Sequence, residues 1–326
     1  MDYRIMISAF VLSFLISIIL YKLFIPVLRK VKLGQKILEI GPAWHKVKEG
    51  TPVLGGLFYI ISILITVSIF TLSSAIKTEE YGIIAVLGMA LAFGFIGFID
   101  DYVKLFKKRN KGLSATQKLI LQFLVAAAYL WVNSRYCGGS SEIWIPFSNN
   151  TIELGVLYYF LAIIVIVYIV NCSNLTDGID GLAGSIAVIM GVMFLTISLF
   201  ELDKNAVLLT ISLIGAVAGF LVFNLHPARI FMGDTGSLFL GGLLVGLTFY
   251  FRAELLIFII CFIWLIEGIS VVLQVAFYKL TKKRIFKMSP IHHHFEMCGW
   301  SELKIVTIFG LITALMCGFA YYLYII

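Results

Sequence analysis

Apolar stretches long enough to cross a lipid bilayer recur along nearly the whole chain, and they limit its fold more than any other feature. A helix needs roughly 20 predominantly apolar residues to cross the hydrocarbon core. Ten such stretches are read at about 5–27, 53–73, 82–99, 116–134, 154–171, 181–200, 206–223, 236–251, 254–278 and 303–324. The eighth and ninth are separated only by the tight hairpin Phe251-Arg252-Ala253. The chain is 61% hydrophobic and 13% charged, whereas soluble domains carry about a quarter charged residues. A soluble enzyme of the usual kind is excluded. The expected fold is an all-α polytopic membrane protein of about ten transmembrane helices. It is expected to form one integral-membrane domain over 1–326, since no soluble domain fits between the spans. The start, MDYRIM, is too weakly basic and its apolar stretch too long for a cleavable signal, so the first span is expected to be retained. The five cysteines show neither CxxC pairing nor zinc spacing and are expected to be scattered free thiols.

Lysine and arginine orient the spans. Nineteen of the 25 basic residues fall in one set of alternate loops, within 29–48, 104–118, at 229, and within 279–304. The opposite loops and termini hold only Arg4, Lys77, Arg135, Lys204 and Arg252. Cytoplasmic loops carry the basic excess in membrane proteins. The first set is therefore expected to face the cytoplasm, with both termini outside. Part of this excess serves attraction to anionic lipid headgroups. The cluster Lys104, Lys107, Lys108, Arg109 and Lys111 could also hold a lipid phosphate. Nucleic-acid binding is dismissed for want of a soluble basic module.

Five of the seven aspartates lie at span ends within that basic set: Asp100 and Asp101, Asp177 and Asp180, and Asp234. A carboxylate at the end of a membrane helix is costly unless a cation, a ligand or water answers it. Converging carboxylates repel one another unless a metal ion binds them. The pattern points to a metal-dependent active site on the cytoplasmic face, with phosphate as the partner chemistry. Adjacent Asp100 and Asp101 point about 100° apart on a helix. One can face a metal or an acceptor while a basic neighbour holds the other. Asp177 and Asp180, flanked by Asn171 and Asn174, share a face if their turn is helical. Asp234 opens the eighth span and could bind Mg²⁺, which prefers one or two carboxylates plus substrate oxygens and water. His226 is expected to hydrogen-bond within its loop. His292, His293 and His294 have no zinc spacing, and their imidazoles suit phosphate oxygens instead.

Five motifs follow in order. They are His45…Lys48-Glu49-Gly50-Thr51-Pro52-Val53-Leu54-Gly55-Gly56, Asp100-Asp101-Tyr102, Asn174-Leu175-Thr176-Asp177-Gly178, Asn224…Phe231-Met232-Gly233-Asp234-Thr235-Gly236-Ser237, and Pro290-Ile291-His292-His293-His294-Phe295-Glu296. Across essentially the whole chain this set resembles the phospho-N-acetylmuramoyl-pentapeptide transferase (MraY) family, within the polyprenyl-phosphate N-acetylhexosamine-1-phosphate transferase superfamily. Val53-Leu54 stands where the family often has Thr-Met, with no functional consequence.

The resemblance implies transfer of phospho-MurNAc-pentapeptide from UDP-MurNAc-pentapeptide to undecaprenyl phosphate. The products would be lipid I and UMP, made with Mg²⁺ at the bacterial cell membrane. It implies Asp234 as metal ligand, Asp100 as base or acceptor-phosphate positioner, Asp101 in support and His292 in the catalytic set. The implied substrate-binding set is Lys46, Lys48, Thr51, Lys104, Asn171, Asn174, Asp177, Asp180, Asn224, Phe231, Gly233, Gln274, His293 and His294. A homodimer is allowed. The alternative is a GlcNAc-1-phosphate transferase, and a divalent-cation transporter is a distant third. Transporter coupling residues belong near mid-membrane, not at helix ends.

Overall fold

Every predicted apolar stretch is helical, though not all are continuous. The structure is a computed structural model that describes residues 3–30, 48, 50–72, 81–106, 112–148 and 150–326. Its helices are α1 (Tyr3–Lys30), α2 (Gly55–Val67), α3 (Gly82–Phe106), α4 (Ala115–Tyr136), α5 (Val156–Thr176), α6 (Leu182–Phe200) and α7 (Lys204–Asn224). They continue with α8 (Gly233–Tyr250), α9 (Ile257–Ile260), α10 (Phe262–Thr281), α11 (Ile291–Glu296) and α12 (Glu302–Ile325). Among the described residues, eight helices are long and apolar enough to cross a membrane: α1, α3, α4, α5, α6, α7, α10 and α12. The chain is a multi-pass membrane protein. The shorter α2 runs on through a π-helical turn at Ser68–Leu72, and α8 fills the centre with every residue from Thr235 to Phe249 buried.

Three features depart from the sequence expectation. The ninth stretch is broken: a 3₁₀ turn at Glu254–Leu256 and the single turn α9 precede α10. The third helix runs past its predicted end at 99 to Phe106, which carries Asp100 and Asp101 inside the helix and not at its last residue. Finally, β1 (Glu142–Ile145) and β2 (Asn150–Glu153) form an antiparallel hairpin between α4 and α5, with Glu142 opposite Glu153. Isoleucine, tryptophan and threonine on either side of the Pro146-Phe147-Ser148 turn favour a short strand pair, a signal that long apolar runs do not carry. The Phe251–Ala253 hairpin and the five free cysteines match expectation.

Small side chains let the helices approach closely at the polar face. Backbone bonds from Gly55 N–H to Phe231 O (2.8 Å) and Gly56 N–H to Met232 O (2.9 Å) seat α2 on the start of α8. A Cβ at Gly56 would come within 2.3 Å of the Gly236 Cα. The Gly55-Gly56 pair is thus explained by contact between two backbones. The α1 and α7 helices run parallel, joined by Ser13 Oγ to Ser212 O (2.7 Å) and Ser17 Oγ to Ala216 O (2.8 Å). The C-terminal ends of α1, α3, α5 and α7 therefore gather on one face with the starts of α8 and α12. Tyr324, near the chain end, reaches Glu201 on the opposite face.

Candidate active site

Asp234 is the hub of the polar face. As the second residue of α8 it sits where free backbone N–H groups favour negative charge. Its Oδ1 accepts from Asn174 Nδ2 (3.0 Å), at the end of α5. Its Oδ2 accepts from Lys118 Nζ (2.8 Å), in the first turn of α4, and from Lys104 Nζ (3.2 Å), on α3. Lys104 also pairs with Asp100 Oδ2 at 2.6 Å, one helical turn back. Asp100 Oδ1 accepts from the backbone N–H of Leu113 (2.7 Å), just before the Ser114–Gln117 capping box that starts α4. Burial alone would raise the carboxyl pKa of Asp234. The ammonium groups of Lys118 and Lys104 outweigh it and hold that carboxyl well below the usual carboxylate range.

Asp101 turns the other way. Both its oxygens are spent on the start of α8: Oδ1 accepts from Asp234 N–H (3.2 Å), and Oδ2 from Thr235 N–H (2.9 Å) and Thr235 Oγ1 (2.7 Å). It caps from a neighbouring helix the turn that carries Asp234, answering backbone donors that a helix start leaves open. The adjacent carboxylates thus divide their work, one paired with Lys104 beside Asp234 and one capping the start of α8.

One oxygen each from Asp100, Asp101 and Asp234 lies within 4.8 Å of the others. Hard oxygen donors gathered this closely suit a hard divalent cation. Asp101 is tied to the backbone of α8, whereas Asp100 and Asp234 share the exchangeable ammonium group of Lys104, so these two could hold such an ion. Asp177 follows Asn174 in the turn between α5 and α6. Burial, then the charges of Asp234, Asp101 and Asp180, push its carboxyl well above the usual range, although its side chain keeps some surface access.

A second polar knot stands beside the first. Lys48 Nζ lies 2.7 Å from Asp180 Oδ1 and 2.7 Å from Glu302 Oε2. Asp180 Oδ2 meets His226 Nδ1 (3.1 Å) and the Ala228 N–H (2.9 Å). His226, expected to bond within its own loop, instead reaches Asp180 in the α5–α6 turn and Glu302 (3.7 Å) at the start of α12, while Asp180 and Lys48 tie three loops together. Asn224 is a clamp: its Oδ1 accepts from Gly181 N–H (3.0 Å) and its Nδ2 donates to Ile230 O (2.9 Å). Gln274 fastens 285–286 to α10, accepting from Ile285 and Phe286 N–H and donating to Phe286 O. Asn171 is turned into the bundle, donating to Gln122 Oε1 (2.6 Å) and Val167 O (2.8 Å).

The His292 and His293 rings sit edge to face with centroids 4.1 Å apart, yet the three histidines take different partners. His292 is fully buried beside Glu267, His293 Nδ1 lies 2.6 Å from Glu296 Oε2, and His294 Nδ1 accepts from Lys287 N–H (3.1 Å). Phe231 and Thr51 are partly exposed near the start of α8, where Phe231 N–H donates to Pro52 O (2.9 Å). Gly233 opens the helix at φ +72°. Lys46 lies outside the described residues, as do Lys107, Lys108, Arg109 and Lys111 of the basic cluster. Sequence reasoning counted Lys118 only as a topology signal. Its place four residues after Asn-Lys-Gly-Leu-Ser, in the first turn of a helix facing the aspartates, carries no separate mark.

This clustering can be compared with known proteins. The family model described as glycosyl transferase family 4 matches residues 83–252, the segment holding Asp100, Asp101, Asn174, Asp177 and Asp234. A phospho-N-acetylmuramoyl-pentapeptide-transferase of Clostridium beijerinckii is 45% identical over 309 residues, covering 94% of this chain and 93% of its own. The namesake proteins of Caldicellulosiruptor bescii (41% over 312 residues, 95% of each) and Halalkalibacterium halodurans (43% over 321 residues, 98% of each) match as fully. The chain belongs to this family. It is a membrane transferase, and Asp234 with its neighbours Asp100, Lys104, Lys118 and Asn174 lies within the matched segment.

Proposed function

We propose that the chain transfers phospho-MurNAc-pentapeptide from UDP-MurNAc-pentapeptide to undecaprenyl phosphate, giving lipid I and UMP for peptidoglycan synthesis. The observation that carries this reading is Asp234, held by Asn174, Lys104 and Lys118 from three other helices within reach of Asp100. Donor pyrophosphate and acceptor phosphate are both anionic, so their approach requires fixed positive charge. Lys104 and Lys118 supply it. An acceptor phosphate oxygen attacks the donor's sugar-linked phosphorus, and the bond from that phosphorus to UMP breaks. One phosphoanhydride replaces another, so the reaction lies near equilibrium. The acceptor is largely dianionic at neutral pH, with a second pKa of about 6, and asks little of a general base. Asp100, pinned by Lys104 and the Leu113 N–H, fits the positioning of the acceptor better than proton removal. Mg²⁺ held by Asp234 and Asp100 would supply electrophilic charge to the phosphoryl oxygens. Asp177, Asn224 and Phe231 border the nucleotide side.

The basic excess around this face supports a cytoplasmic orientation in a bacterial cell membrane. The measurement that tests substrate choice is UMP release by detergent-purified protein with undecaprenyl phosphate and Mg²⁺. UDP-MurNAc-pentapeptide is expected to be turned over and UDP-GlcNAc left unused. Preference for UDP-GlcNAc would move the chain to the sister activity. Mg²⁺ flux into liposomes with no UMP from either donor would favour transport instead.

A further inference from the structure

Glu267 lies well inside α10, a helix of membrane length, and is 0% exposed. A carboxylate in that position is expensive without a partner. Its partner is His292, also 0% exposed. Glu267 Oε1 stands 3.0 Å from His292 Nδ1, and Oε2 accepts from the His292 backbone N–H at 3.4 Å. The approach of Oε1 to Nδ1 is close without the alignment of a full hydrogen bond, and the imidazole Nε2 has no hydrogen-bond partner among the described residues. That nitrogen is pressed against the turn joining α5 to α6: a Cβ on Gly178 would fall 2.2 Å from Nε2. Gly178 directly follows Asp177, which borders the carboxylate cluster. An unbroken line of contact therefore runs from Glu267 through the imidazole to the Asp177–Gly178 turn.

The geometry points to Glu267 as a positioning residue that orients the His292 imidazole beneath the Asp177–Gly178 turn and so sets the nucleotide side of the transferase site. A carboxylate beside one ring nitrogen makes that nitrogen the N–H side and fixes the ring's rotation. Here the carboxylate stands beside Nδ1, and Nε2 faces the turn. Glycine at 178 is then required because the ring occupies the space of any side chain. Among the described residues the Glu267 side chain makes no hydrogen bond or ion pair to the carboxylate cluster; its polar contacts go to His292. The inference deepens the proposed transferase function and rests on it.

A buried carboxylate–imidazole pair kept only for packing would also lose stability on mutation, so stability cannot decide. A double-mutant cycle can. Glu267→Gln, His292→Gln and the double variant are purified in detergent and checked for monodispersity. UMP release is then measured against UDP-MurNAc-pentapeptide and, separately, undecaprenyl phosphate. Glu267→Gln is expected to lower kcat/KM for the nucleotide donor by roughly 10- to 100-fold, the usual scale for losing an orienting partner. The KM for undecaprenyl phosphate should stay within about twofold. In the His292→Gln background the same change should cost less than about twofold, since its route of action is gone. Where Glu267→Gln does not accumulate as folded protein, Glu267→Asp takes its place in the same cycle with the same two outcomes. Donor kcat/KM within about twofold of wild type, or a full additional loss in the His292→Gln background, would overturn the assignment while leaving the transferase reading intact. Wild-type protein that releases no UMP would overturn both.

Discussion

Replacing Lys118 by methionine removes one ammonium group from the centre of the polar face and keeps most of its aliphatic stem. Lys118 Nζ lies 2.8 Å from Asp234 Oδ2, and the two side chains are only 16% and 18% exposed, so solvent screens the pair weakly. A bare Coulomb estimate at an effective dielectric of 20 gives about 6 kcal/mol, which is a ceiling because both groups are also desolvated. A charge-assisted hydrogen bond contributes roughly 1.5–3 kcal/mol net. Lys104 remains 3.2 Å from the same oxygen, so Asp234 is not left unpaired and the fold should persist. If Lys118 transfers its charge to phosphoryl oxygens in the transition state, the variant loses about that energy, or roughly 10- to 150-fold in kcat. The assay is UMP release with both substrates saturating, repeated across a Mg²⁺ titration. With one competing cation gone from Asp234, half-saturation should also move to lower Mg²⁺. A kcat within about twofold of wild type at every Mg²⁺ concentration would refute the reasoning.

Three further outcomes follow from the same geometry. Asp101→Asn places an amide against three donors, so at least one of the bonds to Asp234 N–H, Thr235 N–H or Thr235 Oγ1 is lost. The expected cost is about 1.5–3 kcal/mol, read as a lower thermal midpoint in detergent together with lost turnover; unchanged values of both would contradict the cap. Gly56→Ala drives a methyl into the Gly236 backbone and should cost at least about 1–3 kcal/mol of overpacking, seen as poor recovery of monodisperse protein, whereas wild-type recovery would refute the close approach. Burial and neighbouring carboxylates raise the folded-state pKa of Asp177. Below the unfolded value of about 4 both states hold the proton and there is no penalty. As pH rises from there through the folded pKa, ionisation costs the folded state stability. With divalent cations chelated, Asp177→Asn should therefore melt higher than wild type at neutral pH, the gap closing near pH 4; a gap that widens on acidification would reverse the sign.

Much of the architecture is legible because apolar length is a crude, strong signal. The limits of α5, α6 and α7 lie within a few residues of the apolar runs that predict them. The break at Cys261 is not legible, since Leu255 to Phe262 is apolar whether or not one helix spans it. The meeting of Asp100 with Asp234 was open to reasoning because carboxylates at membrane-helix ends need an answer. Which neighbour answers was not. Asp101 and Asp100 differ only in azimuth on α3, and the donors that separate them belong to α8 and the start of α4. Lys118 looked like one more charge on a basic face, because its role depends on where α4 packs. Glu267 is a single acid in an apolar helix, and its partner stands 25 residues away across a loop.

The most direct test of the central claim, that the face around Asp234 performs the transfer, uses Asp234→Ala beside wild type. Radiolabelled UDP-MurNAc-pentapeptide, undecaprenyl phosphate and Mg²⁺ are supplied, and lipid-linked label and UMP are both counted in protein of matched monodispersity. Wild type should form the two products in equal amounts, and the variant should fall by at least about 1000-fold, losing both the metal ligand and the anchor for Lys104 and Lys118. Equal product formation by Asp234→Ala would place the chemistry elsewhere in the protein.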